Sequence, residues 1–231
     1  MLPRAIGRVG VADVVTLANA VVALGGGVVA SVDVEMAVRL LLVCGVLDAL
    51  DGVLARSLGS SAIGHQLDAL ADVAAFGIAP AAVGVQVVRA GAPPGSTLAL
   101  AAWVAGAMFV GSAVLRLALY ATFDADRTHT EGAQTTLAAT IIAAGVLIGF
   151  TAPAVIVATL VILALLMLAP IEYPDLHAHD AVIMGGVQVA AIVLTLPWLA
   201  PGLRTMGEGF TYGLLFLSLG YLCLSPRLYW G

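Results

Sequence analysis

Four aspartates, Asp48, Asp51, Asp68 and Asp72, interrupt two stretches of the chain that are otherwise strongly apolar. On insertion scales, a carboxylate at the centre of a membrane helix costs about 2.5–3.5 kcal/mol, so four of them require compensating charge. Arg56 is the one arginine near them in the sequence, and it cannot neutralise four carboxylates. Divalent cations can, so the pattern predicts a metal site. An ion-coupled transport site is the alternative that the aspartates alone leave open.

The spacing of the aspartates indicates that they occupy facing sides of two neighbouring helices. An α-helix advances about 100° per residue, so Asp48 and Asp51 share one face, and Asp68 and Asp72 share another. The short connection between the two helices makes them antiparallel and brings the four carboxylates to one depth. Carboxylate-only ligand sets suit magnesium, manganese or calcium, and this set has room for two ions about 3.5–4 Å apart.

Small residues lie on the same two helix faces as the aspartates. Gly52 and Ala55 follow Asp51, and Gly64 precedes Asp68 by one turn. Side chains of this size leave space for a bulky phosphate-bearing ligand beside the carboxylates. Ordinary close packing between membrane helices is the alternative explanation for them.

The composition places most of the chain in a lipid bilayer. Of the 231 residues, 61% are hydrophobic and only 10% are charged, and the mean hydropathy is +1.09. A soluble domain is nearer a quarter charged. The net charge of −5 and the lack of a basic stripe argue against a nucleic-acid partner.

We therefore predict an all-α fold: a single integral membrane domain over residues 1–231, built as a polytopic bundle of about eight transmembrane helices. The predicted segments lie near residues 13–32, 35–57, 63–89, 97–121, 134–150, 153–170, 180–199 and 208–225. The last two, in residues 180–225, are the least distinctive.

The distribution of arginine predicts the orientation of these helices. Eight spans leave both termini on one side, and an excess of arginine marks the cytoplasmic side. The cytoplasmic set is Arg4, Arg8, Arg56, Arg127 and Arg227, and the outer set is Arg89 and Arg204. We expect a multi-pass protein of the cell membrane whose aspartates face the cytoplasm.

The two aspartate segments resemble the signature of the CDP-alcohol phosphatidyltransferase family. DALDGVLAR, from Asp48 to Arg56, and GHQLDALAD, from Gly64 to Asp72, fit the pattern D-x2-D-G-x2-A-R followed by G-x3-D-x3-D. The run FGIAPA, beginning at Phe76, is similar to the phosphatidylserine (or archaetidylserine) synthase branch of that family. Thr16 and Asn19 also fit the opening pattern of this branch.

The resemblance implies a metal-dependent transfer of a phosphatidyl or archaetidyl group from a CDP-linked lipid to L-serine, with release of CMP. By the same resemblance, the four aspartates bind divalent metal, Mg²⁺ or Mn²⁺ and two ions in all, and Asp72 is also the catalytic base. Gly52, Ala55, Arg56 and Gly64 are expected to border the CDP group. Homodimers are common in the family, so a homodimer is expected here.

The carboxylate of serine requires a cationic partner, and two arginines are candidates. Arg116 ends the predicted fourth helix and Arg127 lies in the loop after it, both near the predicted cytoplasmic surface. Snorkelling to lipid headgroups is the alternative for each. Glycerol phosphate or inositol phosphate are alternative acceptors for the same chemistry, although a phosphorylated acceptor calls for a larger basic cluster than these residues supply.

Overall fold

The computed structural model describes residues 9–124, 129–174 and 178–228, and 81% of them are helical. Arg4, Arg8 and Arg127 lie outside these residues. The elements within them are α1 (Val11–Val29), α2 (Val34–Leu58), α3 (Gly64–Asp72), a π-helical segment (Val73–Ile78), α4 (Ala79–Gly91), α5 (Thr97–Leu119), a second π-helical segment (Tyr120–Asp124), β1 (His129–Glu131), α6 (Thr135–Leu147), α7 (Pro153–Met167), β2 (Glu172–Pro174), α8 (Ala178–Leu194) and α9 (Pro201–Leu228).

The surface of the helices confirms an all-α membrane protein. On α1, the exposed side chains include Val21 and Leu24, each 69% exposed, whereas Asn19 on the opposite face is 1% exposed. Apolar side chains outside and polar ones inside are the arrangement that a bilayer requires. Four helical stretches are long and apolar enough to cross a membrane: Val11–Val29, Gly64–Gly91, Thr97–Phe123 and Pro201–Pro226.

The number of spans remains a prediction, because the other helices are shorter or more polar. In the described residues α6, α7 and α8 contain 13, 15 and 17 residues. At about 1.5 Å per residue, 13 residues cover roughly 20 Å, less than the hydrocarbon core of about 30 Å. α2 has 25 residues, but it carries five charged side chains.

The hairpin between α2 and α3 closes through a glycine. Gly59 has a φ of +91°, which a residue with a side chain rarely adopts, and its N–H donates to the carbonyl of Ala55 at 3.1 Å. The chain therefore turns at once after Leu58, and five residues connect α2 to the start of α3 at Gly64. This turn reverses the direction of the chain. α3 then packs against α1, and the π-helical segment and α4 that follow it contact α2.

A two-stranded antiparallel ribbon joins the connections α5–α6 and α7–α8. Thr130 of β1 pairs with Tyr173 of β2, and the Tyr173 ring stacks on Tyr221 of α9 with centroids 6.2 Å apart. The Tyr221 hydroxyl donates to the carbonyl of Pro174. Burial raises the pKa of the Tyr173 hydroxyl, so this side chain stays neutral. The ribbon thereby fixes both loops to α9.

At the opposite end of α2, a buried arginine holds the end of α8. Arg39 is 4% exposed; its Nη2 donates to Glu35 Oε2 at 2.9 Å and to the Thr195 carbonyl at 2.7 Å, and its Nε donates to Thr195 Oγ1 at 3.1 Å. Gln188 Nε2 donates to the carbonyl of Leu42 further along the same interface. These bonds supply the polar part of the contact between α2 and α8.

We expect Arg39→Met to destabilise the protein by about 2 kcal/mol, because it leaves the buried polar groups of Thr195 without their charged donor. The thermal unfolding midpoint in detergent measures the effect. Arg89→Met is the matched control: Arg89 is exposed, and its Nη1 donates a long hydrogen bond of 3.4 Å to Gln86 Oε1 on the same helix. Equal losses in both variants would contradict the structural role of Arg39.

Candidate active site

Three of the predicted aspartates converge where α2, α3 and the first π-helical segment meet. Asp48, Asp68 and Asp72 each offer a carboxylate oxygen, and these oxygens all lie within 4.8 Å of one another. The carboxylates of Asp48 and Asp72 are within hydrogen-bond reach of each other. All three side chains are half-buried, so water screens their charges only in part.

Asp51 lies next to this cluster and accepts a hydrogen bond from a side chain of α1. It is 5% exposed, and Oδ2 accepts a hydrogen bond of 2.7 Å from Thr16 Oγ1. The structure thus places three carboxylates in one cluster and the fourth one turn away, whereas the sequence predicted four at one site. The reason is that α1 packs along α2 and supplies a hydroxyl donor to Asp51.

The cluster fits a hard divalent cation. Asp72 Oδ1 is buried and, among the described residues, has no hydrogen-bond partner. Three carboxylates this close repel one another strongly, and proton sharing or a bound cation is what offsets the repulsion. The donors are all oxygen atoms, which suits magnesium, manganese or calcium and not a soft metal. The structure therefore supports the predicted metal site at Asp48, Asp68 and Asp72.

A small cavity of about 170 Å³ opens on one side of the cluster. Asp68 belongs to both the cluster and the cavity. The residues lining the cavity are Ala12, Asp13, Thr16, Asp51, Gly52, Ala55, Ser60, Gly64, His65 and Asp68. Three of the four residues predicted to border the CDP group, Gly52, Ala55 and Gly64, are therefore brought together here.

The glycines keep this cavity open. A Cβ on Gly64 would lie 2.7 Å from Ser60 Oγ and 3.3 Å from Asp13 Oδ1. A Cβ on Gly52 would lie 3.4 Å from Nη1 of Arg56. The Arg56 guanidinium thus packs over Gly52 at the rim of the cavity and is exposed, so it can reach a ligand there.

The cavity also contains polar residues that the aspartate pattern does not predict, among them Asp13 and Ser60. Asp13 is 2% exposed and accepts a 2.7 Å hydrogen bond from the N–H of Gly10. Ser60 lies in the α2–α3 turn. An aspartate in the first turn of an apolar helix was a usable signal for Asp13, whereas a serine in a turn carries none.

Arg116 lies at the end of α5, toward the same end of the bundle as the cluster. A Cβ on Gly77 would be 3.3 Å from Ala113 Cβ, so α5 contacts the π-helical segment closely. The two helices run antiparallel, and therefore Arg116, three residues after Ala113, and Asp72, five residues before Gly77, lie toward the same end.

The Arg116 side chain is held in a defined position. It is 5% exposed, Nη2 donates to Thr130 Oγ1 at 3.0 Å, and the guanidinium lies 5.2 Å from the centroid of the Tyr120 ring. It lines a cavity of about 370 Å³ together with Glu131 and Met167. Arg127, the other candidate for binding serine, lies outside the described residues.

Comparison with known sequences agrees with this geometry. The sequence model of the CDP-alcohol phosphatidyltransferase family matches residues 9–196, a stretch that includes α1, both aspartate helices and Arg116. The chain belongs to this family, as its aspartate signature predicted.

A relative from Mycobacterium leprae (strain TN), named CDP-diacylglycerol--serine O-phosphatidyltransferase, is 38% identical over 87 residues. The matched stretch is 37% of this chain and 27% of the relative, so the similarity covers about a quarter of that protein.

We expect Asp68→Asn to weaken the binding of Mn²⁺ at least tenfold, because it removes a charged ligand that the three-carboxylate cluster shares. Electron paramagnetic resonance of the purified protein in detergent measures free against bound Mn²⁺. Asp33→Asn is the matched control, since Asp33 caps α2 far from the cluster through a 2.9 Å bond from the Met36 N–H, and asparagine caps equally well. Unchanged binding in Asp68→Asn would refute the site.

Proposed function

We propose that this protein transfers a phosphatidyl or archaetidyl group from a CDP-linked lipid to L-serine and releases CMP. The observation that carries the proposal is the cluster of Asp48, Asp68 and Asp72 beside a cavity kept open by Gly52 and Gly64. The name of the mycobacterial relative supports serine as the acceptor. The metal is Mg²⁺ or Mn²⁺, bound as two ions by the three clustered aspartates and Asp51.

The residues around the smaller cavity bind the nucleotide end of the donor in this proposal. Gly52, Ala55 and Gly64 let the pyrophosphate approach the helix backbone and the carboxylates closely. Arg56, at the rim, pairs with a phosphate oxygen through its planar guanidinium. Bound divalent cations would supply positive charge against the pyrophosphate and the charge that grows on the departing CMP.

Asp72 accepts the proton from the attacking hydroxyl. Its Oδ1 is buried and, within the described part of the chain, makes no hydrogen bond, so this atom is available to a substrate. The serine oxygen forms a bond to the phosphorus that carries the lipid, and the bond from that phosphorus to the CMP oxygen breaks. The proton passes to Asp72, and the electron pair leaves with CMP.

Arg116 binds the serine carboxylate. Its bond to Thr130 and its position over Tyr120 fix the guanidinium near the end of α5, so little ordering is needed when a carboxylate binds. Arg127 is the second candidate for this role. In the orientation favoured by the arginine distribution, the whole site faces the cytoplasm, where serine and the nucleotide are dissolved, and the lipid tails remain in the bilayer. The protein acts as a homodimer in the cell membrane.

We expect the purified protein to release CMP from a CDP-linked lipid only when Mg²⁺ or Mn²⁺ and L-serine are both present. Asp72→Asn should lower the turnover at least a thousandfold, since an amide cannot accept the proton. Chromatographic measurement of CMP checks both statements. CMP release with glycerol phosphate or inositol phosphate instead of serine would overturn the acceptor, and cation flux in vesicles without CMP release would overturn the enzyme assignment.

We expect Arg116→Ala to raise the KM for serine at least tenfold while the KM for the CDP-linked lipid stays within about twofold. The loss follows from removing the charged partner of the carboxylate. Thr130→Val removes the hydroxyl that accepts a hydrogen bond from Arg116 but leaves Arg116 itself in place, so it should raise the KM for serine by a smaller factor. Arg204→Ala is the control for general loss of surface charge, since Arg204 is exposed and distant in sequence. An unchanged KM in Arg116→Ala would exclude this role.

A further inference from the structure

Asn19 of α1 carries a buried side-chain amide. The residue is 1% exposed, and neither Oδ1 nor Nδ2 has a hydrogen-bond partner among the described residues. An unsatisfied buried polar group costs about 1–3 kcal/mol. Leucine has nearly the same shape and would avoid this penalty. Stability of the folded chain therefore does not explain the amide at this position, whereas a contact with a ligand would.

The helix contacts place Asn19 level with Asp48. Thr16 of α1 donates to Asp51 of α2, and the two helices run antiparallel. Asn19 lies three residues after Thr16 and Asp48 three residues before Asp51, so each is one turn further into the protein on the same packed face.

The next contact along the same interface agrees with this placement. Cys44 Sγ, one turn beyond Asp48, lies 3.7 Å from the backbone carbonyl of Asn19. Asn19 is therefore bracketed on α2 by the turn of Asp51 and the turn of Cys44. Its amide lies at the depth of the carboxylate cluster.

This depth separates Asn19 from the nucleotide cavity. Thr16 and Asp51 line that cavity, whereas Asn19, Asp48 and Asp72 do not. In a phosphoryl-type transfer the attacking and leaving oxygens lie roughly in line on opposite sides of the phosphorus. If CMP occupies the cavity at Thr16 and Asp51, the attacking alcohol belongs on the inner side of the cluster, where Asn19 lies.

We propose that the side-chain amide of Asn19 binds the polar groups of the acceptor alcohol and holds its hydroxyl toward Asp72. This inference rests on the proposed function. The amide is neutral and offers one acceptor and two donors, which match the ammonium and carboxylate groups of an amino acid. A phosphorylated acceptor would instead favour a cationic side chain at this position.

The test compares Asn19→Leu with the wild-type protein in detergent. We expect the KM for serine to rise at least tenfold, with the KM for the CDP-linked lipid and the affinity for Mn²⁺ each within about twofold of the wild type. The ligand-free unfolding midpoint should be unchanged or higher, because leucine removes an unsatisfied amide without leaving a cavity. Ser218→Ala is the matched control, since Ser218 Oγ in α9 is likewise buried and without a partner in the described structure. Its KM values should equal those of the wild type.

Three outcomes would overturn the inference. An unchanged KM for serine in Asn19→Leu would show that the amide does not touch the acceptor. Weaker Mn²⁺ binding would assign the amide to the cation instead, and a midpoint several degrees lower would assign it a structural partner. Failure of the proposed function is distinct: there the wild-type protein itself releases CMP with another alcohol or with none. With another alcohol, the same comparison is made using that alcohol, and with none the inference falls together with the function.

Discussion

The repulsion among Asp48, Asp68 and Asp72 is the constraint on which the site depends. In the half-buried end of a helix bundle, carboxylates within 4.8 Å of one another gain little from water and lose much from mutual repulsion. A protein selected for stability alone would not place them there. A bound cation or a shared proton offsets this repulsion, and the rest of the bundle must hold the three short side chains in register. α1 contributes by packing along α2 and fixing Asp51 through Thr16.

Helix periodicity explains why so much of this site was predictable. Residues three or four apart on a helix share a face, and the five-residue connection that begins at Gly59 reverses the chain, so the end of α2 and the start of α3 lie at the same end of the bundle. These two facts bring Asp48, Asp68 and Asp72 together without any knowledge of the remaining helices. The same logic placed Gly52, Ala55 and Gly64 around one cavity, and hydropathy alone was enough to predict an all-α membrane fold.

The features that the sequence could not predict depend on contacts between distant segments. The hydrogen bond from Thr16 to Asp51 and the position of Asp13 in the cavity lining both arise from the packing of α1, which no local sequence pattern predicts. The ribbon of Thr130 and Tyr173 pairs loops that are more than forty residues apart in sequence. Its strands are three residues long, too short for an alternating pattern to be visible. The π-helical segment after Asp72 adds a residue to a helical turn and leaves no signature in the composition.

Two of the buried side chains with polar atoms that lack a hydrogen-bond partner among the described residues lie at the same depth. Asp72 Oδ1 and both amide atoms of Asn19 are buried at the depth of the cluster, in a region where every unsatisfied group lowers stability. The small cavity beside the cluster, by contrast, is lined by groups such as Asp51 and Asp13 that already have protein donors. The folded chain thus satisfies the side of the site toward the cavity and leaves the inner side unsatisfied. In the proposed function, cations and backbone groups bind most of the nucleotide. Side chains on the inner side of the cluster, away from the cavity, then contact the acceptor directly and determine which alcohol binds. Under the proposed function, the choice of alcohol depends on Asn19 and Arg116 more than on the aspartates, because the aspartates contact the donor and the reacting hydroxyl whatever the acceptor is.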